Sequence, residues 1–551
     1  MLVIIFNDIL YARHMLKTII LLLLMSSLAG CNWQTNVESG LATQTLHLGN
    51  GAEPKDLDPH TVTGVSEGRL IRALLETLVV EHPATLAPLP GAAASWDISP
   101  DYRQYTFRLR EDGRWSNGDR VTAHDFVYAW RRMLTPALAA EYAYQFYAIA
   151  NAQAFHAGEL TDFTQVGIRA LNDETLQVDL TYPVPYFLHL VAHTSFAPVH
   201  PPTIERFGGP LKRHSLWTRP ENYVGNGAFR LSEWTLNRWI KMQKNPLYWN
   251  ADQVTLNEVV FYPIENITTE ERMFRSGTLH KTETVHPDSI ARFQGTKTLR
   301  IAPYLGTYYF KLNTQRPPLD DVRVRRALSL ALDRQALVQF VTKGGEIASN
   351  GFVPVNLPGY ATPAEPDVQA RLERAQALLA EAGYPQGKGL PTLELLYNTA
   401  ESHRRIAVAI QAMWQQLGIN VELVNQDWKV YLSSVKQGNY HIARAGWIGD
   451  YPDPNTFLDI FSGNSGNNNT GWQNMQYDAL LLQAAKASSD QRYALLQQAE
   501  AILLEAMPII PIYTYTSKAL VSTDVQGWYD NIFDHHPLTQ VLLAPTTGQA
   551  R

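Results

Sequence analysis

The sequence predicts an α/β protein of more than one domain, carried behind an export leader. Three observations predict it. At 551 residues the chain exceeds what one hydrophobic core ordinarily organises, so two or three domains are expected. Between residues 320 and 447, strand-like and helix-like stretches alternate at the lengths that βαβ crossovers require. The first 30 residues have the anatomy of a secretory signal.

Composition narrows the class further. Hydrophobic residues make up 45% of the chain and charged residues 18%, the balance of an ordinary folded protein. Disorder and collagen-like structure are thereby disfavoured. A net charge of −6 argues against nucleic acid as a partner. The 26 tyrosines and 13 tryptophans read first as core and interface packing.

In the leader, Arg13 and Lys17 precede the apolar run Ile19 to Met25, and Leu28-Ala29-Gly30-Cys31 follows. The run is shorter than the roughly 20 apolar residues that span a bilayer. Met15 is a second candidate start. Cys31 is the sole cysteine, so no internal disulfide forms and stability rests on packing. Leu28 to Cys31 resembles the bacterial lipobox, which implies lipidation of Cys31 and a membrane anchor. The polar stretch that follows, to Gln44, reads as a flexible tether.

Along the mature chain, Thr45 to Leu48 alternates as a short strand. Glu67 to Val80 carries Leu70, Ala73, Leu74 and Leu78 at helical spacing. Tyr105, Phe107 and Leu109 share one strand face. Thr122 to Asp125 fits a capping box opening a helix through Phe126, Ala129, Trp130 and Met133. Asp320 opens a helix with Val324, Ala327, Leu328, Ala331 and Leu332 on one side. Residues 367–382 form a helix stopped by Gly383 and Pro385. Then come a strand at 393–397, a helix at 402–417 ended by Gly418, a strand at 421–424, a helix at 428–436 and a strand at 442–447.

Catalytic signatures are missing. The sequence has no His-Glu-x-x-His zinc motif, no Gly-x-x-x-x-Gly-Lys phosphate loop and no Gly-x-Gly-x-x-Gly fingerprint. Residues 463–466 fall one position short of a nucleophile elbow, because Asn467 stands where glycine is needed. No enzyme activity, cofactor or metal is expected.

Several segments, in order, resemble the oligopeptide-binding proteins of bacterial ABC importers, the peptide/nickel-type family of extracellular solute-binding proteins. They are Gly49 to His60, Ala94-Ser-Trp-Asp97, Tyr105 to Arg110, Trp115-Ser-Asn-Gly118 and Val121 to Phe126. Val184-Pro-Tyr-Phe187, Asn226-Gly-Ala-Phe229 and Tyr248-Trp-Asn250 continue the series. Asp320 to Arg325, Ala380 to Tyr384, Leu396-Tyr-Asn398 and Ala443-Arg-Ala-Gly-Trp447 complete it. The resemblance spans nearly all of the mature chain.

It implies a periplasmic-binding-protein-like fold (type II, cluster C), with two lobes on a two-strand hinge and an inserted third domain. The expected division is a signal peptide with lipobox at 1–30 and a lipidated tether at 31–44. Lobe I takes 45–77, 202–302 and 516–551, domain II takes 78–201, and lobe III takes 303–515. The crossovers fall near Tyr304 and Tyr513. The implied function is an extracytoplasmic lipoprotein that captures short peptides between closing lobes and delivers them to ABC permease subunits, as a monomer. Murein-peptide or dipeptide specialists, and a peptide-sensing lipoprotein without transport, fit the same residues.

By the same resemblance, Asp450 receives the peptide ammonium, and Arg444 and His403 the carboxylate. A third carboxylate position, a Lys in the family, falls on Thr342, beside Lys343. Trp428, Trp447, Tyr142, Tyr304, Tyr309 and His193 wall the side chains, while Val65, Gly446 and Asn398 complete the expected set. Thr63 replaces an acidic family contact, which weakens selection for basic side chains.

Overall fold

A computed structural model describes residues 34–545, apart from 356, 358, 362–367, 464 and 488. The leader, the Leu28 to Cys31 segment and residues 546–551 lie outside the described residues. Among the described residues no helix is long and apolar enough to cross a membrane.

Three larger sheets organise the chain. The first has four strands in the order Thr45–Gly49, Glu258–Tyr262, Trp239–Lys244, Phe229–Thr235, the first pair parallel and the others antiparallel. The second is antiparallel, in the order Ala93–Ile98, Gln104–Leu109, Thr175–Asp179, Ile168–Asn172. Its alternation is as expected: Tyr105, Phe107 and Leu109 are buried, while Gln104 and Arg108 are exposed. The Ala123–Leu134 helix covers it, opened by Asp125, whose carboxylate accepts from the Thr122 amide (2.8 Å) and the Trp115 indole (3.1 Å).

The third sheet has six strands: Ile347–Ala348, Ile509–Leu520, Leu299–Leu312, Ile442–Ile448, Leu393–Asn398 and Val421–Gln426. The Leu393–Asn398 strand, the Glu401–Gln415 helix and the parallel Val421–Gln426 strand form the expected βαβ unit. Two strands of 14 and 12 residues, Leu299–Leu312 and Ile509–Leu520, run antiparallel out of this sheet toward the first one. There Lys281 bridges Leu48 on one side and Val521 on the other. The pairing breaks register between Pro303 and Thr307 and again at Tyr308, so the joint is a two-strand ribbon interrupted at its middle.

Two expectations are corrected. The stretch after the leader is not a flexible tether throughout: Asn36–Thr43 is a helix. Thr35 and Glu38 cap it reciprocally, the Val37 amide donates to Gly277 O (2.9 Å), and the Gln44 amide group donates to Leu543 O (2.8 Å). Its partners lie hundreds of residues away, so local composition does not reveal them. The helix expected through Val80 ends at Leu74. Asn226 clamps the Glu76 main chain through both its amide and its carbonyl (2.9 Å each), which holds the next residues extended into the Val79–Glu81 strand. A Cβ at Gly227 would stand 2.6 Å from the Leu74 carbonyl carbon, so this close approach requires glycine.

Candidate ligand-binding cleft

A cavity of about 680 Å³ lies between the six-stranded sheet and the segment leading into the Val65–Leu74 helix. That volume suits a ligand of several hundred daltons. Val65, Tyr142, His193, Tyr304, Tyr309, Trp428, Arg444, Gly446, Trp447 and Asp450 all line it. Asn398 and His403 do not. They stand one layer back, against Arg444 and Tyr308.

The floor is a strand edge. Ile442–Ile448 pairs with Leu299–Leu312 along its whole length, but with Leu393–Asn398 only at Ile442 and Ala443. From Arg444 onward the second edge has no strand partner among the described residues, and Arg444 to Ile448 line the cavity. A Cβ at Gly446 would come within 2.6 Å of the Tyr515 hydroxyl, so glycine keeps this edge low.

Thr61 to Val65 form the facing wall. They are fixed by a buried cluster just upstream. Arg132 makes two hydrogen bonds to the Asp58 carboxylate (2.8 and 2.6 Å) and a third to His60 Nδ1 (2.8 Å). Burial, reinforced by the Arg132 charge, pushes His60 down to about 3, so the ring stays neutral and accepts.

Asp450 closes one end. Its side chain is only 8% exposed. The Gln145 amide donates to Oδ2 (2.9 Å), while the Tyr142 hydroxyl (3.4 Å) and His193 Nε2 (3.2 Å) face Oδ1. The Ser195 amide donates to His193 Nδ1 (3.2 Å), which leaves Nε2 as the N–H directed at Asp450. Its own amide is held by Thr456 Oγ1 (2.9 Å). Nearby cations are engaged elsewhere. Arg492 pairs with Asp453 (2.7 Å), and Arg72 is bonded to His535 (2.9 Å). Asp459 accepts from the Tyr451 hydroxyl (2.9 Å), and burial holds it well above the usual carboxylate range.

Arg444 closes the other approach. Its guanidinium meets the Tyr515 hydroxyl (2.7 Å), Asn398 Oδ1 (3.4 Å) and the face of Tyr308 (4.8 Å). No carboxylate of the described residues pairs with it, and its Nε is buried without an acceptor. Burial, with the Arg444 charge adding, holds His403 well below its ordinary value, so it supplies no second cation. Thr342 is bonded to Glu346 (2.8 Å) and Lys343 to Asp288 (3.1 Å), and neither lines the cavity.

Aromatic rings fill the walls. Tyr142 packs against His193 (4.9 Å between centroids) and Trp447 (6.3 Å), and Trp428 stacks on Tyr431 (5.8 Å). The Trp428 and Trp447 indole N–H groups are buried donors with no acceptor among the described residues. Sequence reasoning missed Gln145, Tyr515 and Lys311. Lys311 was within reach of it, since it lies two residues beyond Tyr309 on the same strand face. Gln145 carries no local signal; it meets Asp450 only through the fold.

Comparison with known proteins supports one family. The periplasmic oligopeptide-binding protein OppA of Salmonella typhimurium is 39% identical over 513 residues, covering 89% of this chain and 91% of that protein. The structure of Haemophilus influenzae OppA in complex with RPPGFSPFR superposes with a TM-score of 0.87 at 36% identity, covering 91% of this chain and 99% of the other. An unliganded open form of MppA, a periplasmic murein tripeptide-binding protein, gives only 0.62 at 34% identity, over 91% and 97%. The lobes of this chain are therefore disposed as in the peptide complex rather than as in the open form. The fold is that of periplasmic binding proteins, and the family is one of substrate-binding proteins rather than enzymes. With the family model for the bacterial extracellular solute-binding proteins, family 5 (middle region), matching residues 87–469, the chain belongs to that family.

Proposed function

We propose that this chain is a lipid-anchored extracytoplasmic receptor that captures short peptides between two closing lobes and passes them to an ABC importer. The observation that carries this reading is Asp450, a buried carboxylate that no Lys or Arg of the described residues pairs with, at the end of a strand edge with no strand partner among them. A peptide offers what that arrangement lacks: an ammonium for Asp450, a carboxylate for Arg444, and main-chain groups that add as a strand. Reading only these shared features gives affinity without dependence on side-chain identity. The empty carboxylate is costly and is compensated when the ligand arrives. Lobe I would comprise 45–77, 202–302 and 516–551, domain II 78–201 and lobe III 303–515, with the interrupted ribbon as hinge. The helix at Asn36–Thr43 would leave only the residues next to Cys31 as the anchor's link.

The test is calorimetric titration of ligand-free, refolded chain with tri-alanine, N-acetyl-tri-alanine and murein tripeptide. Tight binding of tri-alanine that acetylation abolishes supports the reading. Binding of the murein tripeptide alone makes the chain a specialist, and binding of none refutes peptide capture. For the anchor, Cys31→Ser should move the protein from the membrane fraction to the soluble one.

A further inference from the structure

The cleft contains a second buried cation that the capture of peptide termini leaves unused. Lys311 lies on the cavity face of the long Leu299–Leu312 strand, two residues beyond Tyr309, and is 9% exposed. Its ammonium makes two hydrogen bonds, to Asn467 O (3.1 Å) and Asn469 Oδ1 (2.8 Å), both neutral. An ammonium has three donors, so one remains unfilled. Among the described residues no carboxylate lies within ion-pair distance of it, although the chain carries 52 acidic residues from which one could have been placed.

Glu141, which also lines the cavity, is held by Lys436 (2.6 Å) and faces Arg213 (3.8 Å). The Asn467 side-chain amide, also buried, lies by the Tyr144 hydroxyl. Trp428, Leu432 and Val435 supply apolar sides. Burial alone pushes Lys311 down to about 8, the strain of a cation kept from water and unpaired.

We infer that Lys311 forms the base of a side-chain subsite that selects an acidic residue, Asp or Glu, within the captured peptide. The stem of that residue packs against Trp428 and Leu432, and its carboxylate accepts from the Lys311 ammonium. A basic side chain is rejected there by like charge, and a neutral one leaves the ammonium unpaired. Affinity from main-chain pairing is then modulated at one position by charge. This inference rests on the peptide-capture reading above.

The test uses the refolded full chain and four variants of each position of tri-alanine: Glu, Gln, Lys and the parent Ala. At one position Glu should bind about tenfold or more tightly than Gln, the scale of a hydrogen bond to a buried charge. Lys311→Met, which keeps the stem volume, should bring that ratio to one, read within the variant and whatever its affinity for tri-alanine. Asn469→Asp, which sets a carboxylate against the ammonium without removing it, should do the same and guards against misfolding of the first variant. The inference is overturned if no position favours Glu over Gln, or if the preference survives both substitutions. Tri-alanine bound without a Glu preference overturns the subsite alone. Tri-alanine unbound by the unaltered chain overturns peptide capture, and the subsite with it.

Discussion

Replacing Asp450 by Asn removes one charge and turns one of the two acceptor oxygens, the one facing His193 and Tyr142, into an amide donor. The amide oxygen still accepts from Gln145, as Oδ2 does at 2.9 Å, and the Asp450 main chain stays tied to Thr456. Side-chain exposure of 8% means that the carboxylate meets little water in the closed protein, so a ligand ammonium would pair with it largely desolvated. Truncating one partner of such a pair costs about 2–5 kcal/mol. At about 1.4 kcal/mol per tenfold, peptide affinity should fall by about thirtyfold to several thousandfold. Folding stability should fall by much less than peptide affinity, because the lost acceptor is offset by removal of a buried charge that no Lys or Arg of the described residues pairs with. A loss of affinity without a matching loss of stability distinguishes loss of a ligand contact from general damage. Titration of tri-alanine and its N-acetyl form into both proteins completes a double-mutant cycle. Acetylation should weaken the unaltered protein and change the Asn variant little. Equal tri-alanine affinity in the two proteins would refute the assignment of Asp450 to the ammonium.

Three further outcomes follow from the same geometry. Arg444→Met should weaken tripeptides with a free carboxylate by about tenfold or more and leave C-amidated ones unchanged; equal losses for both would assign Arg444 to packing alone. Asp125→Ala leaves the buried Trp115 indole and the Thr122 amide without an acceptor, and should cost about 1–3 kcal/mol, read as a lower urea midpoint with ligand affinity unaltered. In acid, His47, pushed down to about 4, and His60 and His280, pushed down to about 3, lose their share of stability. Their folded values lie below the ordinary 6.5, so that share is complete above pH 6.5 and is lost as pH falls through 4 and 3. Glu270 and Glu76, pushed up by burial to about 8 and about 7, act with the opposite sign: their share is complete below pH 4.5 and is lost as pH rises through those values. The test therefore compares urea midpoints of the unaltered chain with His60→Gln between pH 7 and 4.5. The variant should show the shallower decline, by up to about 1.4 kcal/mol per pH unit; parallel declines would refute it.

Local pattern carried much of this molecule. The βαβ elements between 393 and 448 lie within a residue or two of where periodicity and glycine stops place them, because strand alternation and helix caps act over a few residues. The Thr122 to Asp125 capping box likewise needs four consecutive residues and no distant partner. Where the expectation failed, a distant residue decided. Asn226 ends the helix before Glu76, and Gly277 and Leu543 hold the helix that looked like a tether.

The same division separates the cleft's ingredients from its arrangement. By itself the sequence determined the α/β class and a set of colinear motifs that brought Asp450 and Arg444 forward as paired opposites. Only the tertiary structure decided that Asp450 is met by Gln145, Tyr142 and His193 from more than 250 residues away, that Arg444 meets no carboxylate of the described residues, and that His403 and Asn398 stand behind the wall rather than in it. It alone showed that Lys311 faces the cavity with neutral partners. A motif records which groups a chain can offer. Whether a charge is buried, paired or free depends on what the rest of the fold brings within a few ångströms, and Coulomb energy in a poorly hydrated cleft depends steeply on that distance.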